Sequence, residues 1–143
     1  MAITSAVCST FKQELLKGTH DFDGGATYKI ALYTSGASMG ASTTAYSTSS
    51  EASGTGYTAA GETLTSPAVA LSSTTAYIDF ANATWSSASF TAKGALIYRS
   101  DGSAPTNDAV CVIAFGGDYT ATNGTFTVQF PAPAAGTAIL RLS

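Results

Sequence analysis

The segment Thr125-Phe126-Thr127-Val128-Gln129-Phe130 alternates small or polar side chains with large apolar ones without a break. A period of two puts Phe126, Val128 and Phe130 on one face of an extended chain, the pattern of a half-buried strand. The same period is visible in Tyr77-Ile78-Asp79-Phe80. It recurs in Tyr28-Lys29-Ile30-Ala31-Leu32-Tyr33-Thr34, where Ile30 and Leu32 share a face. Working outward, further strands are expected over residues 62–71, 75–81, 83–90, 92–99, 109–115, 124–130 and 138–142. Ser100-Asp101-Gly102, Gly116-Gly117-Asp118 and Asn123-Gly124 supply turn signals between them. Seven or eight short strands at this spacing predict an all-β fold, an antiparallel β-sandwich or jelly roll.

Helical periodicity is confined to the beginning of the chain. Val7, Cys8, Phe11 and Leu15 form one apolar stripe, Ser5 can cap it, and Gly18 suits the position just past a helix end. The spacing predicts a single N-terminal α-helix over residues 5–17, plugging one end of the sandwich or reaching towards a neighbour. No helical period returns after it, which excludes an alternating βαβ fold. Residues 35–61 form a long stretch rich in Ser, Thr, Gly and Ala, with Met39, Tyr46 and Tyr57 as its large side chains. Such a stretch is either a flexible polar loop or an extended arm that orders on a partner with those three residues as anchors. No repeat and no second composition block divides the chain, so residues 1–143 are expected to form one domain.

Composition narrows the function classes. Charged residues make up 10% of the 143 residues, against about 25% in an average soluble domain. Their place is taken by 18 Ser, 22 Thr, 26 Ala and 14 Gly. Six Lys plus Arg against nine Asp plus Glu give a net charge of −3, so there is no basic footprint for nucleic acid. No apolar run reaches the 18 or more residues of a membrane-spanning helix. A surface of this kind is weakly hydrated and lacks the like-charge repulsion that holds monomers apart, which suits a chain docked against copies or larger neighbours. Cys8 and Cys111, 103 positions apart, are uninformative about a disulfide framework, since small secreted scaffolds are far denser in cysteine. The segment from Met1 to Cys8 has neither a basic nor an apolar region of a signal peptide, so the expectation is assembly in a reducing cytoplasm.

The inventory for chemistry is thin. Gly36-Ala37-Ser38-Met39-Gly40 matches the G-x-S-x-G of a nucleophile elbow, but no helical pattern follows Ser38 and the sole histidine, His20, precedes it. His20, Asp21 and Asp23 could offer metal ligands. The closing Glu of a calcium loop is absent, and Asx turns account for the two aspartates. Gly54-Thr55-Gly56 has no lysine after it and makes no phosphate loop. No cofactor, metal or enzymatic activity is expected. Trp85, Tyr98 and Tyr119 are the aromatics that could form a sugar-binding platform, although a lone Trp is more often core.

Several ordered segments resemble a known group. They are Phe11-Lys12-Gln13-Glu14-Leu15-Leu16-Lys17-Gly18 followed by His20 and Phe22, then Lys29-Ile30-Ala31-Leu32-Tyr33-Thr34. Next come Gly54-Thr55-Gly56-Tyr57-Thr58-Ala59-Ala60-Gly61, Ala83-Thr84-Trp85 and Ala92-Lys93-Gly94-Ala95-Leu96-Ile97-Tyr98. Phe115-Gly116-Gly117-Asp118 and Ile139-Leu140-Arg141-Leu142 complete them. In these the chain resembles small virion structural proteins of tailed bacteriophages. The resemblance implies a non-enzymatic virion component, first of all a capsid decoration (cement) protein. Its expected partners are the major capsid protein and copies of itself, as a dimer or trimer, with no nucleic acid and no membrane. The alternative expectation is a tail or head-fibre module that binds a host glycan. Phe11 of the helix and Met39, Tyr46 and Tyr57 of the long loop are the residues expected at the partner interface.

Overall fold

A computed structural model describes residues 2–101, 107–134 and 136–142. Two of its strands dominate: β6 (Ala83–Arg99) and β7 (Ala109–Val128), which pair antiparallel along nearly their whole length. β2 (Tyr28–Tyr33) pairs with the second half of β6, and β3 (Glu62–Thr63) pairs with β2. On the other side β1 (Ala6–Val7) pairs with β7, giving a five-stranded sheet in the order β1-β7-β6-β2-β3. A three-stranded sheet, β4-β5-β8, is built from β4 (Ala68–Ser72), β5 (Thr75–Asp79) and β8 (Leu140–Leu142). Every named pairing is antiparallel. The fold is therefore the all-β, two-sheet sandwich class that the period of two predicts, with one short helix, α1 (Ser9–Leu16).

The boundaries differ from expectation in ways that have local causes. The expected strands at 83–90 and 92–99 are one strand, and so are those at 109–115 and 124–130. The glycine and asparagine signals inside β7 produce bulges instead of turns. Phe115 to Asp118 of β7 stand opposite the single residue Lys93, and Gly116 takes a φ of +86°. Asn123 and Ser87, both at φ 48°, absorb two smaller register shifts between Trp85 and Phe90. Bulges bend and twist a ladder without ending it. The third turn signal keeps its place between β6 and β7, although Gly102 lies outside the described residues. Conversely, the expected strand at 62–71 is split into β3 and β4. Ser66 at φ 54° turns the chain, and Pro67, with no N–H to give a ladder, marks the passage to the second sheet. The expected strand at 138–142 is shortened to β8.

The helix also starts later than Ser5. Ala6 and Val7 are drawn into pairing with Val112 and Cys111, Ser5 Oγ accepts a hydrogen bond from Ala114 N–H at 2.8 Å, and Cys8 becomes the N-cap. Its end is as expected. Gly18 adopts φ +73°, its N–H donates to Leu15 O at 3.1 Å, and Thr19 N–H donates to Glu14 O at 3.1 Å, the two bonds of a Schellman motif.

The core lies along the β6–β7 ladder. In the first half of β6 Ala83, Trp85, Ala88 and Phe90 are buried while Thr84, Ser86 and Ser87 are exposed, so one face is covered. From Gly94 to Arg99 every residue is buried, because that half carries β2 and β7 on its edges and is covered on both faces. Phe22, Tyr28 and Phe80 join the sheets: Phe22 stacks on Tyr28 with centroids 4.4 Å apart, and Phe80 lies 6.1 Å from both. Gly61, at φ +80°, brings the end of the long loop onto β2 so closely that a Cβ there would sit 1.9 Å from Ile30 O. A side chain would be strained and would also push the backbone of β2 aside. Gly61→Ala is expected to cost about 3 kcal/mol or more in urea unfolding, the upper range for one substitution.

Candidate binding surface

The residues expected to meet a partner are occupied within the chain. Phe11 is 4% exposed and packs on His20 at 4.8 Å and on Phe22 at 5.9 Å. Met39, Tyr46 and Tyr57 are half-buried against the core. The loop 35–61 is held by isolated β-bridges from Met39 to Ile3, Glu51 to Tyr33, Ala45 to Asp108 and Thr55 to Ser89.

Glu51 organises its centre. One carboxylate oxygen accepts from Tyr57 O–H at 2.7 Å and from Ala60 N–H at 2.8 Å, and the other accepts from Tyr46 O–H at 2.7 Å. Tyr57 O also accepts from Leu32 N–H at 2.9 Å, and Tyr98 O–H donates to Ala60 O at 2.6 Å. Tyr46 stacks on Tyr98 with centroids 4.7 Å apart. Burial, reinforced by the hydrogen bond to Glu51 and its negative charge, raises the Tyr46 hydroxyl to about 12. These phenols thus stay protonated donors, and the loop is an ordered arm folded on its own sheet. Removing the carboxylate leaves three donors without their acceptor. Glu51→Ala is expected to lose about 2–3 kcal/mol of stability in urea titration and to speed proteolysis within 35–61, with Glu51→Gln between it and the wild type.

A second polar cluster ties α1 to the large sheet. His20 Nε2 lies 2.6 Å from Glu14 Oε2, and its Nδ1 lies 3.1 Å from Tyr28 Oη. Burial, with the positive charge of Arg99 second, lowers His20 to about 4, so the ring is neutral at pH 7. Nε2–H then donates to Glu14, and Nδ1 accepts from Tyr28 O–H. Tyr28 O accepts in turn from Asp21 N–H at 3.1 Å. Asp108 holds its proton above the usual carboxylate range because it is desolvated and hydrogen-bonded to Glu14, whose negative charge adds to the effect. Arg99 binds Asp101 through Nε and Nη2 at 3.0–3.2 Å and donates through Nη1 to Thr19 O.

Both ring nitrogens of His20 are engaged, leaving none directed at Ser38. Ser38 is exposed on the loop and is not followed by the helix of a nucleophile elbow. Asp21 Oδ1 accepts from Asp23 N–H at 2.9 Å, the Asx turn expected there. Among the described residues no group of three or more His, Cys, Asp or Glu is placed to hold a metal. Because the His20 pKa is lowered, its contribution to stability is present above pH 6.5 and is lost as pH falls towards 4. Asp108, with a raised pKa, contributes in the opposite sense over the same acid range. NMR titration of this sole histidine is expected to give a midpoint near 4, whereas a midpoint near 6.5 would place the ring in water.

The surface available to a partner lies elsewhere. Cross-strand register puts Val69, Ile78 and Leu140 in one row, and Leu71, Ala76 and Leu142 in the next, on the same face of the small sheet. Ile78 and Leu140 are buried against the body, but Val69 is 52%, Leu71 71% and Leu142 62% exposed. Across from this face stands α1, whose Leu16 is 90% exposed. Between them lies a groove of about 780 Å³ floored by Phe11, Leu15, Phe22 and Ile78, with Lys12, Asp21, Asp23 and Arg141 among its lining residues. Sequence reasoning missed these residues: Leu16 falls outside the apolar stripe, and Val69 and Leu71 were read within a longer strand. The proposed sugar platform is not formed, since Trp85 and Tyr98 are each 1% exposed and only Tyr119, at 55%, is open. Comparison with protein-family models, curated proteins and solved structures finds no match for the chain.

Proposed function

We propose that this chain is a virion structural protein, a capsid decoration protein that binds outside the lattice of a tailed-bacteriophage major capsid protein. The observation that carries the reading is the half-covered apolar face of the small sheet, with Val69 and Leu142 exposed across the groove from Leu16 and Leu71 exposed beside them. Clustered exposed leucines on a chain with 10% charged residues are a surface shaped for contact with protein. The resemblance of the ordered segments to small virion proteins supplies the kind of partner. No reaction is required: many copies on a symmetric shell, each making modest contacts, attach stably through avidity. The long arm is folded down on its own sheet, so the groove and the small sheet supply the contacts.

Icosahedrally averaged cryo-electron microscopy of virions carrying the chain tests this directly. Regular density on the head that fits a 14.4 kDa two-sheet body is expected. Absence from the head, with the chain found at the tail or on fibres, overturns the reading. Leu16→Lys is expected to weaken attachment to capsids stripped of the chain by about tenfold or more while leaving the fold intact.

A further inference from the structure

We propose that β4 is a self-association edge, pairing antiparallel with β4 of a second copy about a twofold axis at Ala70. Four strands end the two sheets among the described residues, and the stretches of β6 and β7 that their neighbours leave uncovered are broken by bulges, which twist an edge away from regular pairing. β1 and β3 have two residues each, and β8 has three with Arg141 at its centre. Short or charged edges of that kind resist pairing with another chain. β4 is different: Ala68-Val69-Ala70-Leu71-Ser72 has five residues, no charge and no proline, and it pairs with β5 on one side only.

The direction of its free backbone groups follows from the hairpin. Ser73 and Thr74 form a two-residue turn, with Ser73 at φ 55°, that closes on the pair Ser72 and Thr75. In such a hairpin the closing residues exchange hydrogen bonds, and bonded pairs then alternate along the ladder. Ser72, Ala70 and Ala68 therefore direct their N–H and C=O groups at β5, while those of Val69 and Leu71 face the open edge.

That edge is complementary to itself. In an antiparallel pairing centred on Ala70, Val69 meets Leu71 of the second copy and Leu71 meets Val69. These are the residues whose backbone groups point outward, so each pair exchanges two hydrogen bonds. Ala68 meets Ser72, Ala70 meets Ala70, and no like charges are opposed. Val69 and Leu71 belong to the apolar face of the small sheet, so the pairing continues that face unbroken across two copies and covers two of its exposed side chains. The result is a six-stranded sheet with a closed, isologous interface.

This deepens the assembly reading by naming the surface for self-association, and it is tested on the purified chain alone. Failure here leaves capsid attachment open, and absence from virion heads leaves the dimer standing. Sedimentation velocity of the wild type is expected to give a dimer. Leu71→Pro removes an N–H that faces the edge, not β5, and is expected to give a folded monomer by far-UV circular dichroism. The Ala70 pair is a non-hydrogen-bonded one with Cα atoms about 4.5 Å apart, which a disulfide can span. Ala70→Cys is therefore expected to form a covalent dimer under oxidised glutathione, while Ser72→Cys, which faces Ala68, stays monomeric on a non-reducing gel. Native Cys8 and Cys111 are buried and do not interfere. A wild-type monomer or trimer, a dimer that persists in Leu71→Pro, or equal cross-linking of the two cysteine variants overturns the proposal. Should Leu71→Pro fail to fold, the two cysteine variants decide alone.

Discussion

The antiparallel ladder between β6 and β7 is the constraint on which the rest of the structure depends. It holds two strands of 17 and 20 residues together across three changes of register between Trp85 and Gly94, and each change bends the ribbon. β1 and β2 attach to its two sides, and α1 is anchored through Cys8, whose N–H donates to Val110 O at 3.0 Å. The long loop reaches it at Ser89 and Asp108. The pairs of the ladder open from Ile97 and Cys111 near the connection to Ala83 and Val128 at the far end, so a slip near the connection would misplace every pair beyond it.

A chain this poor in charge holds its irregular parts with buried polar bonds. Glu51 gathers two phenols and a backbone amide. His20 links Glu14 to Tyr28, and Asp108 joins the same group through its hydrogen bond to Glu14. In each case one side chain ties together groups separated along the chain, and partial removal from water strengthens the bonds while making their loss costly. These networks account for the order of a loop whose composition alone reads as low-complexity. They draw Glu14, His20, Glu51 and Asp108 at least partly inward, while Lys12, Lys17, Asp21, Asp23, Asp118 and Arg141 stay exposed among hydroxyls, small residues and a few leucines.

The small sheet has a different balance. One end of its inner face is buried by Ile78 and Leu140, and the other overhangs the body with Val69, Leu71 and Leu142 in water. A helix standing across an open gap and an uncharged edge strand beside it leave apolar side chains and free ladder groups facing water in the isolated chain. The proposed contacts would remove both from water. The groove face and the edge share Val69 and Leu71, so pairing between copies leaves Leu142, Leu16 and the rest of the groove for attachment to a larger body.

Alternation in Thr125 to Phe130 and in Tyr28 to Thr34 settled the all-β class, and Gly18 settled where the helix ends, because a period of two and a left-handed glycine are local properties. Strand lengths were not local. Gly116-Gly117-Asp118 and Asn123-Gly124 have the chemistry of turns, and only pairing with β6 makes them bulges. Phe11, Tyr46, Tyr57 and Trp85 are large side chains in polar surroundings of sequence, equally suited to a partner and to the core. Their burial depended on which elements came to lie over them. The same holds for the candidate surface. That Val69, Leu71 and Leu142 share one open face is a matter of cross-strand register, which joins residues 68–72 to 140–142. Sequence by itself determined periodicity, charge and turn chemistry, since each is written within a few residues. Tertiary structure alone decided which apolar side chains remain in water, since exposure is a property of what packs above a residue and not of the residue itself.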